Sequence, residues 1–152
     1  MLANNFMTAG ALDLLEEERR ALIKVLGMLE RDEIPHYEIS DGGRVVIGRL
    51  DESPKGFNMI GFHSKTSCGT ACCICGWAEV VGDLYFRQLQ MKRMTNMALV
   101  ELFEARALYD DRWSEQHYRF SLDAIVPAQA ATALRSYLTT GSANWKEAVG
   151  GV

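Results

Sequence analysis

Apolar residues first settle into a rhythm at Leu12, Leu15, Leu22, Leu26 and Leu29, spaced by three, four and seven residues, with Val25 widening the stripe. That spacing places them on one face of a helix running over about residues 11–33. Glu16 stands four residues before Arg20 and supports the polar face as an ion pair. The acidic run Glu16, Glu17 and Glu18 suits an early helical turn, where the dipole favours negative charge. Pro35 disfavours helical geometry at Ile34 and offers no N–H, so the helix is expected to stop before it.

The rhythm then changes. His36 to Ile39 and Arg44 to Ile47 are two short β-prone runs around Asp41-Gly42-Gly43, a pattern that predicts a small hairpin. Residues 50–67, punctuated by Pro54, Gly56 and Gly61, read as an ordered loop with Phe57, Met59, Ile60 and Phe62 tucked against the core. Helical spacing resumes from about Thr70 or Ala71 to Val81, stopped by Gly82, and continues over 83–94. Thr95 is the expected cap for a helix over 96–108. Residues 109–121 are polar and aromatic without a period and read as loop. The last helix opens at Pro127, carries Leu134, Tyr137 and Leu138 as its apolar stripe, and ends before Gly141. The expected fold is mainly α: about four to five helices with one short β-hairpin, α+β at the margin. Residues 1–10 are expected to be a flexible N-terminus and residues 11–150 a single helical domain.

Composition narrows the function classes. The 152 residues suffice for one core, and 48% apolar with 24% charged residues is ordinary globular usage. A net charge of −4 counts against nucleic acid as the main partner. No stretch is long and apolar enough to span a membrane, and the start, Met1-Leu2-Ala3-Asn4-Asn5-Phe6, lacks the basic and apolar regions of a signal peptide. The cytoplasm is therefore the expected compartment. Its reducing conditions would make the four cysteines thiols or metal ligands rather than a disulfide framework.

All four cysteines lie between Cys68 and Cys75, and this segment admits four readings. His63, Cys68, Cys72, Cys73 and Cys75 are ligand types suited to zinc or an iron–sulfur cluster, but no second ligand pair exists and the spacing matches no usual zinc pattern. An early helix start would put Cys68, Cys72 and Cys75 on one face. Cys68 or Cys72 near a helix N-terminus is a candidate nucleophile, with His36, His63 or His117 as base. A phosphate cradle over Gly56 to Gly61 fails, because Phe62-His63 stands where Lys-Ser or Lys-Thr is required, leaving only a looser anion site at residues 67–70. The fourth reading is plain packing, with small buried thiols beside Trp77, and it is the favoured one. Met91, Met94 and Met97, spaced by three, are likewise assigned to the core, and Glu115-Gln116-His117 to a solvated loop. Tyr109, Trp113 and Tyr118 are the candidates for a protein-binding surface.

Three motifs carry a resemblance. They are Phe57-Asn58-Met59; Cys68-Gly69-Thr70-Ala71-Cys72-Cys73-Ile74-Cys75-Gly76-Trp77-Ala78; and Pro127-Ala128-Gln129-Ala130-Ala131-Thr132-Ala133-Leu134-Arg135. With Tyr137 to Gly141 and Trp145, they resemble a loose group of small uncharacterised bacterial and phage proteins from about Ala21 onward. The group's pattern matches Cys68 and Cys73, while Cys72 and Cys75 occupy positions expected to be small. It thereby implies a Cys68–Cys73 pair with a local disulfide or redox role. Val126 stands where the pattern has a Thr cap. The resemblance implies a family and no reaction. The expected function is a non-enzymatic protein-binding module of bacterial or phage origin, by analogy an inhibitor of a host system of the anti-CRISPR kind. The alternative is a thiol-dependent or metal-binding protein centred on residues 68–75, and a weaker third is a nucleic-acid regulator using Arg87, Lys92 and Arg93.

Overall fold

The leucine stripe that predicts one long helix is broken once, at Asp13. A computed structural model of the chain describes residues 5–37, 44–45, 54–59, 63–66, 69–85, 87–109 and 124–150. In it α1 (Ala9–Leu12) ends where Asp13 enters the left-handed region at φ 56°, and α2 (Glu16–Glu30) begins after it. Asp tolerates that conformation better than most residues. The side-chain amide of Asn96, far along the chain, donates to the freed carbonyls of Leu12 and Asp13 at 3.1 and 3.3 Å. The helix also stops short of Pro35. Asp32 turns left-handed at φ 59°, and the Asp32 and Glu33 N–H groups return to the carbonyls of Leu29 and Met28 at 3.2 and 2.9 Å. This local cap ends α2 before proline sterics apply.

The N-terminal boundary shifts too. Residues 5–10, expected to be flexible, are tied to the fold: Met7 N–H donates to the Leu138 carbonyl at 2.7 Å, and the Arg135 guanidinium lies over the Phe6 ring. Leu22, Val25, Leu26 and Leu29 are buried as the stripe requires, whereas Leu15 falls at the N-cap of α2 and is exposed. Glu16, Glu17 and Glu18 occupy the first turn, and Arg20 pairs with Glu16 at 3.6 Å.

The expected hairpin is replaced by a four-stranded sheet of short strands: β1 (Arg44–Val45), β2 (Gly56–Phe57), β3 (His63–Thr66) and β4 (Gly69–Cys72), in the order β1-β3-β4-β2. The two runs expected to pair with each other lie on opposite sides of it. Arg44 and Val45 pair antiparallel with Lys65 and Ser64, while His36 bridges in parallel to Phe57. Glu38 and Ile39 of the first run, and Val46 and Ile47 of the second, lie outside the described residues, as do Ile60 and Phe62. Phe57 and Met59 are buried as expected, but as part of a strand and its exit rather than a loop. Gly56 is required where β2 meets the segment after α2: a Cβ there would lie 2.5 Å from the Tyr37 Cβ and 2.9 Å from the Pro35 carbonyl.

The helix expected from Thr70 or Ala71 begins later, because Gly69–Cys72 pairs with β2 and β3 as a strand. α3 (Ile74–Val81) follows and is held to the sheet by the Trp77 indole N–H, which donates to the Gly56 carbonyl at 2.9 Å. The expected helix over 83–94 is reduced to α4 (Gln88–Lys92), continued by a 3₁₀ turn at Arg93–Thr95. The cap of α5 (Met97–Glu104) is Asn96 rather than Thr95, its side-chain oxygen accepting from Leu99 N–H at 3.2 Å. Ala105 at φ 50° ends α5 early, and a 3₁₀ turn over Arg106–Tyr109 follows. α6 (Pro127–Thr140) matches its prediction, with Pro127 at the start, Gly141 left-handed at φ 85° after the end, and Leu134, Tyr137 and Leu138 buried. α7 (Trp145–Ala148) closes the described chain, its Trp145 indole donating to the Glu101 and Leu102 carbonyls at 2.8 and 3.1 Å.

The fold is mainly helical. α2 packs against both α3 and α6, and the core runs between these three helices with Phe57, Leu89, Leu99 and Trp145 filling its edges. Among the described residues no helix is long and apolar enough to cross a membrane.

Candidate functional site

The cysteines occupy the joint between the sheet and α3. Cys72 ends β4, Cys73 is the N-cap of α3, and Cys75 lies in its first turn. All three are buried, at 4% exposure or less. Local and tertiary effects oppose each other here. A helix start lowers a thiol's pKa, and the backbone N–H groups of Gly76 and Cys75 act on the Cys73 thiol in that direction. Desolvation wins nonetheless: burial pushes the Cys73 thiol up to about 11. Burial raises Cys72 and Cys75 as well, reinforced by Cys73 and by the carboxylate of Glu79. These thiols are therefore held protonated, the reverse of an activated nucleophile.

Cys72 sits in a strand, so the single helical face proposed for Cys68, Cys72 and Cys75 does not form, and Gly69 and Thr70 belong to that strand rather than to a helix start. The anion site expected there loses its basis. His63 lies in β3 directly across from Cys72 in register. The His63 side chain, Cys68 and His117 lie outside the described residues. Cys73, which the resemblance pairs with Cys68, is a free thiol. Among the described residues no three Cys, His, Asp or Glu side chains converge as metal ligands.

Sequence reasoning missed Glu79, the charged residue nearest these thiols in effect. It sits on α3 at 6% exposure, and one carboxylate oxygen accepts the N–H groups of Leu89 and Gln90 at 3.0 and 3.2 Å. Its other oxygen is buried with no partner among the described residues. Desolvation raises its pKa, and the α4 N–H groups pull it partly back. Glu79 thus fastens the start of α4 onto α3. The only sequence signal for it is a lone carboxylate on an otherwise apolar stretch.

The second unexpected feature is on the surface. Met91, Met94 and Met97, assigned above to the core, are 60%, 73% and 68% exposed, and Tyr85 just ahead of α4 is 79% exposed. The reason is phase. Three-residue spacing makes a buried stripe only within one continuous helix. Here Met91 is on α4, Met94 in the 3₁₀ turn, and Met97 opens α5 after an extended Asn96. The inward positions are taken instead by Leu89, Leu99, Leu102 and Phe103.

The intervening charges behave inversely. Lys92 reaches 3.5 Å from the fully buried Glu18, and Arg93 pairs with Glu104, which also takes Arg106 at 2.9 Å. Their side chains are only 26% and 30% exposed. Gln88 adds a 2.8 Å bond to Glu18. Charged groups turn inward to partners while thioethers face water, the opposite of ordinary surface patterning.

The remaining candidates contribute less. The Tyr109 side chain, Trp113 and Tyr118, and Glu115-Gln116-His117, lie outside the described residues. A surface groove of about 650 Å³ between α2 and α6 is lined by Leu29, Glu30, Ala128, Ala131, Thr132 and Arg135. Its charged groups satisfy each other, Arg135 clasping Glu30 with two bonds of 2.6 and 2.7 Å. No family model matches the chain, and no curated protein or solved structure is significantly similar to it.

Proposed function

We propose that this chain is a non-enzymatic protein-binding module of bacterial or phage origin, and that it docks a partner protein through the exposed side chains of Met91, Met94 and Met97. The observation that carries the reading is the outward exposure of three thioethers, while the cations Lys92 and Arg93 between the first two are drawn into ion pairs. Methionine suits such a surface because its unbranched, polarisable side chain adapts to an apolar partner. Three large apolar side chains this exposed within seven residues are more than isolated exposed hydrophobics, and exposed apolar surface of that kind marks interaction sites. The aromatic residues Tyr109, Trp113 and Tyr118 extend the same proposal along the chain. Inhibition of a host system, of the anti-CRISPR kind, is the form of docking that size and resemblance suggest.

The raised pKa values of Cys72, Cys73 and Cys75 weigh against the thiol-dependent alternative, which then rests on Cys68 and His63. The ion pairs of Lys92 and Arg93 weigh against the nucleic-acid reading, since those charges are already engaged.

A photo-crosslinking residue placed at position 94, and separately at the exposed position 128 on α6, tests the proposal in living cells of the source. A discrete protein adduct from position 94 that is absent from position 128 is expected. Equal adducts at both positions, no adduct at 94, or an adduct to nucleic acid would each overturn it.

A further inference from the structure

We propose that Met91, Met94 and Met97 form an oxidant-modified site: peroxide-class oxidants convert them to sulfoxides while the thiols of Cys72, Cys73 and Cys75 stay unoxidised. This inverts the order in which the two sulfur types ordinarily react, and it follows from where the fold puts each of them. These three thioethers are 60–73% exposed, whereas the three thiols are at 4% or less. Access therefore favours the thioethers.

Chemistry acts in the same direction. A thiol reacts with peroxide as its thiolate. Burial pushes the Cys73 thiol up to about 11, so at neutral pH very little of it is thiolate. A thioether has no proton to lose and needs no such ionisation. Its sulfur lone pair attacks one peroxide oxygen, the S–O bond forms and the O–O bond breaks. The second oxygen leaves as water, taking both peroxide protons. Sulfur is oxidised by two electrons and the peroxide is reduced by two.

Oxidation turns a flexible apolar side chain into a polar one. Three sulfoxides at these positions would erase the apolar character of the proposed docking surface, and a methionine sulfoxide reductase with a thiol reductant would restore it. That consequence rests on the docking proposal; the oxidation order itself does not.

The test uses the free full-length chain and hydrogen peroxide at neutral pH, with thiols trapped under denaturant after quenching and each position read by peptide mass spectrometry. Met59, at 2% exposure, is the internal control. Met91, Met94 and Met97 should each gain one oxygen about tenfold or more faster than Met59, and before any oxidation at Cys72, Cys73 or Cys75. In denaturant the order should reverse, thiols leading and Met59 keeping pace with Met91, Met94 and Met97. Oxidation of any of the three thiols ahead of these methionines in the native chain, or Met59 matching Met94 there, would overturn the inference. Neither outcome depends on a partner, so failure of the docking proposal is read separately.

Discussion

Tyr137 shows what a single residue can reveal. Its ring is the centre of the α6 stripe, yet its hydroxyl is buried with no partner among the described residues. Burial holds that hydroxyl well above its ordinary pKa, with Asp13 and Glu18 adding to the effect. An unsatisfied buried hydroxyl costs about 1–3 kcal/mol, and removing it leaves the packing intact. Tyr137→Phe should therefore raise stability by about 1 kcal/mol, read as a higher urea midpoint at unchanged slope. A drop in the midpoint would show that the hydroxyl has a partner. The burial of Tyr137 was legible from periodicity, but its orphaned hydroxyl was not, since spacing says which face is inward and nothing about what meets a polar tip. Gly82 makes the same point. It was legible as the stop of α3, yet its need to be small comes from Ala21 on α2, whose Cβ would lie 2.5 Å from a Cβ at position 82.

Elements differ in how much of their definition is local. α6 carries its own start and stop in Pro127 and Gly141, and the structure agrees with its predicted bounds. α4 does not: its first turn is held by Glu79 from α3, a contact across ten residues that no pattern announces. This tie has a pH signature. Desolvation raises the Glu79 pKa in the folded chain above the ordinary value of 4.5. Between 4.5 and the raised value the folded state binds more protons than the unfolded state, so stability from this group falls as pH rises through that window. Glu79→Gln keeps an acceptor oxygen for Leu89 and Gln90 but cannot ionise. Its urea midpoint should gain on that of the natural chain as pH rises from about 4.5, then level off above the folded pKa. Parallel curves for the two proteins would refute the assignment.

At the scale of the whole molecule, one core joins α2, α3 and α6, and the thiols lie inside it. Their accessibility is then a property of the fold rather than of a local loop. Alkylation at Cys72, Cys73 and Cys75 should proceed at one common rate that follows the global unfolding constant as urea is added. A thiol among the three that reacts early, without urea dependence, would place it at a locally opening edge and revive the nucleophile reading.

The mainly helical class, the buried stripes of α2 and α6, the buried Phe57 and Met59, and the favoured assignment of Cys72, Cys73 and Cys75 to packing are all readable from the residues alone. These depend on the hydrophobic effect acting through helical period and on local caps, both written in neighbouring residues. Only the tertiary structure decided that Gly69–Cys72 is a strand, since β pairing is settled by partners distant in the chain. It alone set the thiols against the helix-start effect, because desolvation is exerted by every element packed around them. And it alone turned Met91, Met94 and Met97 outward. Their spacing spans a helix, a 3₁₀ turn and a second helix, and phase carried from one residue to the next is lost wherever the backbone changes its winding.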